Sequence, residues 1–105
     1  MSLIRPQGNN RIRKKAVDIV TILRSYKATS KGIQLYEKAE KEEWFENFEQ
    51  SSMDIVEGKW TAPLEVLAAI IESSFVEPSA YNEMRPYLGT AVQVLLSEGY
   101  ITEAQ

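Results

Sequence analysis

The chain has 105 residues, a hydrophobic fraction of 44% and a net charge of −3 at pH 7, which suffices for one domain with one core. It contains no cysteine and no histidine, which excludes disulfides, thiolate nucleophiles, the commonest zinc ligands and the usual proton-transfer group near neutral pH. Any enzyme built from this sequence would have to use carboxylates, lysines, tyrosines or hydroxyls, and we expect no enzymatic activity, no cofactor and no metal site.

The apolar stretches are short, and this bears on localisation. No run approaches the roughly 20 residues that a membrane-spanning helix needs, and the N-terminal region lacks the apolar stretch of a secretory signal. We expect a cytoplasmic protein that does not act at a membrane.

Charge is distributed unevenly along the chain. Residues 1–41 hold ten basic and three acidic side chains, a net charge of +7, whereas residues 42–105 hold two basic and twelve acidic ones, a net charge of −10. Such asymmetry indicates docking on charged partners more than it indicates a fold.

The N-terminal region predicts an arm followed by a helix. Residues 1–9 contain Pro6 and Gly8 and lack hydrophobic periodicity, so we expect a mobile arm before a single helical domain over residues 10–105. Apolar residues at helical spacing predict a first helix over residues 11–28. Four basic side chains lie at the start of this helix: Arg11, Arg13, Lys14 and Lys15.

A second helix is predicted to begin after Thr29 or Ser30, both good N-cap residues, and to end at Gly58. Its apolar stripe changes direction, so the helix should break, kink or change packing partner near residues 40–43. Three aromatic side chains share one face of its later part, which predicts that they are buried. They are Trp44, Phe45 and Phe48. The opposite face carries an acidic column at positions i, i+4 and i+7: Glu42, Glu46 and Glu49.

The C-terminal half predicts further helices. A central helix should begin near Pro63 and is apolar around more than half of its circumference. A short helix interrupted by Pro86 follows, and a last helix is expected from the capping-box pattern at Thr90 to Gly99. No stretch alternates with period two. The predicted fold is therefore all-α, a single-domain bundle of five or six helices with no sheet.

The sequence Glu42-Glu43-x-x-Glu46 resembles the paired-glutamate signature with which all-helical nucleotide pyrophosphohydrolases hold magnesium. Carboxylates one helical turn apart suit a hard divalent cation. That family carries a second motif, glutamate followed three residues on by aspartate, whereas the nearest candidate here, Asp54-x-x-Glu57, has the reverse order. The resemblance implies a magnesium-dependent hydrolase.

Residues 64–101 resemble the helix-turn-helix core of winged DNA-binding domains, through the turn at Leu88-Gly89-Thr90 and the ending Gly99-Tyr100-Ile101. The resemblance implies a recognition helix over residues 91–98, and that segment contains no lysine or arginine. Because phosphate neutralisation dominates the affinity of proteins for DNA, this pattern favours packing or dimerisation over DNA reading.

The sequence thus predicts a small, non-enzymatic protein–protein interaction module that self-associates, in which a basic N-terminal helix and an acidic 42–57 face bind oppositely charged surfaces. Its candidate residues are Arg11, Arg13, Lys14 and Lys15 for a partner or phosphates, and Glu42, Glu46 and Glu49 for the acidic face. The alternative is a nucleic-acid-associated regulator that binds phosphates through the same basic residues. The third hypothesis is the magnesium-dependent hydrolase.

Overall fold

The computed structural model describes residues 19–46, 52–73 and 85–104. Four α-helices occur in these ranges: α1 (Ile19–Ser25), α2 (Ser30–Lys41), α3 (Ala62–Glu72) and α4 (Leu88–Glu98). Two 3₁₀ helices, Trp44–Glu46 and Arg85–Tyr87, and two strands, β1 (Tyr26–Ala28) and β2 (Ile101–Glu103), complete the described elements. None of the described helices combines the length and the apolar character needed to cross a bilayer.

Several predicted features lie outside the described residues. They are the arm at residues 1–9, the basic residues Arg11, Arg13, Lys14 and Lys15, and the side chains Phe48 and Glu49. The division into an arm and a single domain stays a prediction.

The prediction of five or six helices without a sheet is wrong, because the described residues form four α-helices and a two-stranded antiparallel sheet. Tyr26 and Ala28, which helical periodicity assigned to the first helix, lie in β1 opposite Glu103 and Ile101 of β2. Each strand has only three residues, too few for the alternation that reveals a strand in a sequence.

The break predicted near residues 40–43 is confirmed, whereas the predicted continuation of the helix to Gly58 is wrong. The structure ends α2 at Lys41 and turns the chain at Glu42 and Glu43, the latter with φ of 61°. Residues 52–60 contain no helix, and Gly58, expected as a helix stop, lies in a turn with φ of 88°. The turn has a packing reason, because it allows Ala39 of α2 and Trp44 to join one buried cluster with Leu64. On a straight helix their stripes would point in different directions.

The central position predicted for α3 is confirmed. Eight of its eleven residues are buried, and it packs on α1, α2, α4 and β1. The main core contains side chains from both ends of the described chain: Ile19, Ile22, Val66, Leu67, Leu88, Val92, Leu95 and Ile101. Helix α2 reaches both ends of α3, since Tyr36 contacts Glu72 at the end of α3 and Ala39 packs with Leu64 at its start.

The predicted N-cap at Thr29 is confirmed, and it also joins α2 to the end of α4. The Thr29 side-chain oxygen accepts a hydrogen bond from the Gly32 amide at 3.1 Å, and its hydroxyl donates to the Gly99 carbonyl at 2.7 Å. The Thr29 amide donates to the Tyr100 carbonyl at 3.0 Å. One residue therefore caps α2 and binds two carbonyls that follow α4.

Gly32 allows this junction to close. A Cβ atom at position 32 would lie 2.1 Å from the Tyr100 carbonyl oxygen, closer than any real Cβ contact. Beside it, the Lys31 Nζ donates to the Glu98 carbonyl at 2.7 Å and lies 4.7 Å from the centroid of the Tyr100 ring. A cation at a helix C-terminus is favourable, so Lys31 reinforces the same contact.

We expect Gly32→Ala to lower the free energy of unfolding by about 1–3 kcal/mol, because the added methyl group meets backbone that cannot move aside freely. The sign of this change distinguishes the close contact from an open position, because Gly→Ala in an open helix interior raises the free energy of unfolding by up to about 1 kcal/mol. Urea unfolding measures the change. The control Gln34→Ala, at an exposed position of α2, should change stability by less than about 0.5 kcal/mol. An unchanged or higher urea midpoint for Gly32→Ala would contradict the close contact.

Candidate acidic interaction site

An open groove, here called the acidic groove, lies where α2 ends and the chain turns into the first 3₁₀ helix. Its volume is about 580 Å³, and it is lined by Glu37, Glu40, Lys41, Glu43, Phe45 and Glu46. All five charged side chains are exposed, whereas Phe45 is half-buried. The groove thus presents four carboxylates and one ammonium group around part of an aromatic ring.

The turn after α2 assembles this groove. Glu37 and Glu40 lie on the last turns of α2, and Glu43 occupies the left-handed conformation that reverses the chain. The Glu46 amide then donates to the Glu43 carbonyl at 3.2 Å, which closes the 3₁₀ helix. Carboxylates that are distant on an extended chain therefore line one groove.

The predicted acidic residues do not form one helical column. Glu46 lines the groove, whereas Glu42 lies at the C-cap of α2, where its Oε1 accepts a hydrogen bond from the indole Nε1 of Trp44 at 3.2 Å. Glu49 lies outside the described residues. Sequence reasoning missed the groove residues Glu37 and Glu40, and it named Glu43 only as part of the metal-binding signature, because the change of apolar stripe predicts a break near residues 40–43 but not the direction in which the chain turns.

Aromatic side chains support one side of the groove. Trp44 is 4% exposed, which confirms the prediction that it points inward. The Phe45 ring lies 4.9 Å from that of Trp60 in an edge-to-face arrangement and 5.9 Å from that of Tyr36, measured between centroids. Because edge-to-face pairs are favourable, these contacts fix Phe45 where it lines the groove.

Tyr36 links the groove to α3. Its hydroxyl lies 3.0 Å from Glu40 Oε2 and also contacts the Glu72 carboxylate. Burial raises the pKa of the Tyr36 phenol above its ordinary value, and hydrogen bonds to Glu72 and Glu40 raise it further. The neutral phenol has one proton to share between these two carboxylates, and through it the groove is linked to the end of α3.

Lys38 is engaged outside the groove. Its Nζ forms a salt bridge with Glu57 Oε2 at 2.5 Å and lies 5.7 Å from the Trp44 ring centroid. The hydrogen bond to Glu57 raises the pKa of Lys38. Among the residues that the structure describes, Lys41 is thus the one cation that lines the groove, and the local charge is strongly negative.

The residues of the pyrophosphohydrolase-like signature are separated by the turn. Glu42 caps α2, Glu43 lies in the turn and Glu46 lies in the 3₁₀ helix. Across residues 19–46, 52–73 and 85–104, no group of three or more acidic side chains is arranged to hold a metal ion.

The turn predicted at Leu88-Gly89-Thr90 is wrong, because these residues form the first turn of α4, which precedes β2 and its pairing with β1. The exposed side of α4 carries four polar residues and no cation: Thr90, Gln93, Ser97 and Glu98. This surface offers no positive charge that could bind phosphates.

Comparison with known proteins provides no family assignment. Neither a protein-family model, nor a curated protein, nor a solved structure matches this chain.

We expect Tyr36→Phe to lower stability at pH 7 by about 0.5–1.5 kcal/mol, the usual net contribution of one hydrogen bond. This difference should shrink as the pH rises above about 10. Above this pH, Tyr36 ionises in the unfolded wild-type chain but stays neutral in the folded chain, because folding raises its pKa. Ionisation therefore stabilises only the unfolded state, and the free energy of unfolding of the wild type falls. Urea unfolding of both proteins from pH 7 to 11.5 measures this difference in stability. A difference that stays constant or grows with pH would contradict the raised pKa.

Proposed function

We propose that this protein is a small interaction module without enzymatic activity, in which the acidic groove binds a positively charged segment of a partner protein. The supporting observation is the convergence of four exposed carboxylates on a groove that holds one lysine and one half-buried ring. Carboxylates form charge-assisted hydrogen bonds with arginine and lysine, and the ring adds a cation–π contact.

Because these carboxylates are exposed, each ion pair contributes little to the affinity, and the affinity depends on the salt concentration. One exposed ion pair contributes about 0.2–1 kcal/mol, so affinity requires several pairs formed together. At 0.1 M salt the Debye length is about 10 Å, and binding should weaken as salt is added. Charges of this kind mainly raise the association rate and select partners of opposite sign. The groove thus favours a flexible segment with closely spaced basic residues.

The same chain contains closely spaced basic residues. Arg11, Arg13, Lys14 and Lys15 place four cations within five residues. We propose that a second copy provides this basic segment, so that the protein self-associates as a dimer in which each groove receives the basic segment of the other copy. A two-fold arrangement forms the same contact twice and doubles its contribution.

The nucleic-acid alternative uses the same four basic residues but finds less support on the described surface. The acidic groove repels phosphates, and the exposed side of α4 carries no lysine or arginine. Titration of a labelled duplex and a labelled single strand at low salt separates the two proposals. Tight binding to either strand form, weakened by Arg13→Glu/Lys14→Glu, would favour the regulator over the protein-binding module.

We expect a fluorescent peptide with the sequence of residues 9–18 to bind the wild-type protein in low salt, measured by fluorescence anisotropy. The variant Glu37→Lys/Glu46→Lys should bind it at least about tenfold more weakly, a loss of about 1.4 kcal/mol, because two attractive contacts become repulsive. The matched control is Asp54→Lys/Glu103→Lys, which changes the net charge equally at exposed positions outside the groove. Equal weakening by both variants would show that only net charge matters, and would contradict binding in the groove.

Self-association has its own test, a charge-exchange experiment followed by sedimentation velocity in low salt. We expect the wild type to dimerise, whereas Arg13→Glu/Lys14→Glu and Glu37→Lys/Glu46→Lys should each dimerise weakly alone. An equimolar mixture of the two variants should recover a heterodimer, because one retains the groove and the other retains the basic segment. A monomeric wild type that still binds the peptide would contradict self-association while leaving the binding function intact.

A further inference from the structure

We draw no further inference here: the strongest candidate, the apolar groove between α1, β1, α2 and α3 lined by Leu23, Tyr26, Ile33, Ile70 and Ile71, carries nothing because nothing in the structure shows what covers it.

Discussion

The backbone of Gly32 lies directly against the Tyr100 carbonyl, and the described fold depends on this contact. It brings the first turn of α2 onto the end of α4, where Thr29 binds the carbonyls of Gly99 and Tyr100. The contact also brings β1, which immediately precedes α2, beside β2, which immediately follows α4. Since α2 is a rigid rod of three turns, its anchored start determines where its other end, and with it the acidic groove, is located.

At the C-terminal end of α2, the burial of the Trp44 ring outweighs the cost of an unfavourable backbone conformation at Glu43. Glu43 adopts a left-handed conformation, which costs a non-glycine residue about 1–2 kcal/mol. The turn allows Trp44 to become 4% exposed and to pack with Ala39 and Leu64, and burying a side chain of this size contributes about 3 kcal/mol or more. The balance favours the turn. The groove is a consequence of this packing, because the same turn brings Glu46 toward the carboxylates of α2.

Strong local signals made part of this structure predictable. The Thr29 cap, the apolar α3, the end of α4 at Gly99 and the inward Trp44 all follow from residues close in sequence. The sheet was not predictable, because its strands have three residues each and pair across nearly the whole described chain. The acidic groove was only partly predictable. Glu46 was identified from its charge, but its alignment with Glu37 and Glu40 requires a left-handed glutamate that no sequence pattern indicates.

We expect the junction between α2 and α4 to open only together with the core, as one cooperative unit. Amide hydrogen exchange measured by NMR tests this claim at one atom, the Thr29 amide, whose hydrogen bond to the Tyr100 carbonyl exists only when the junction is closed. We expect this amide to exchange with the same opening free energy as the Leu67 amide at the centre of α3, because both require global unfolding. Rapid exchange at Thr29, with an opening free energy near zero while Leu67 stays protected, would show instead that the junction opens independently of the core.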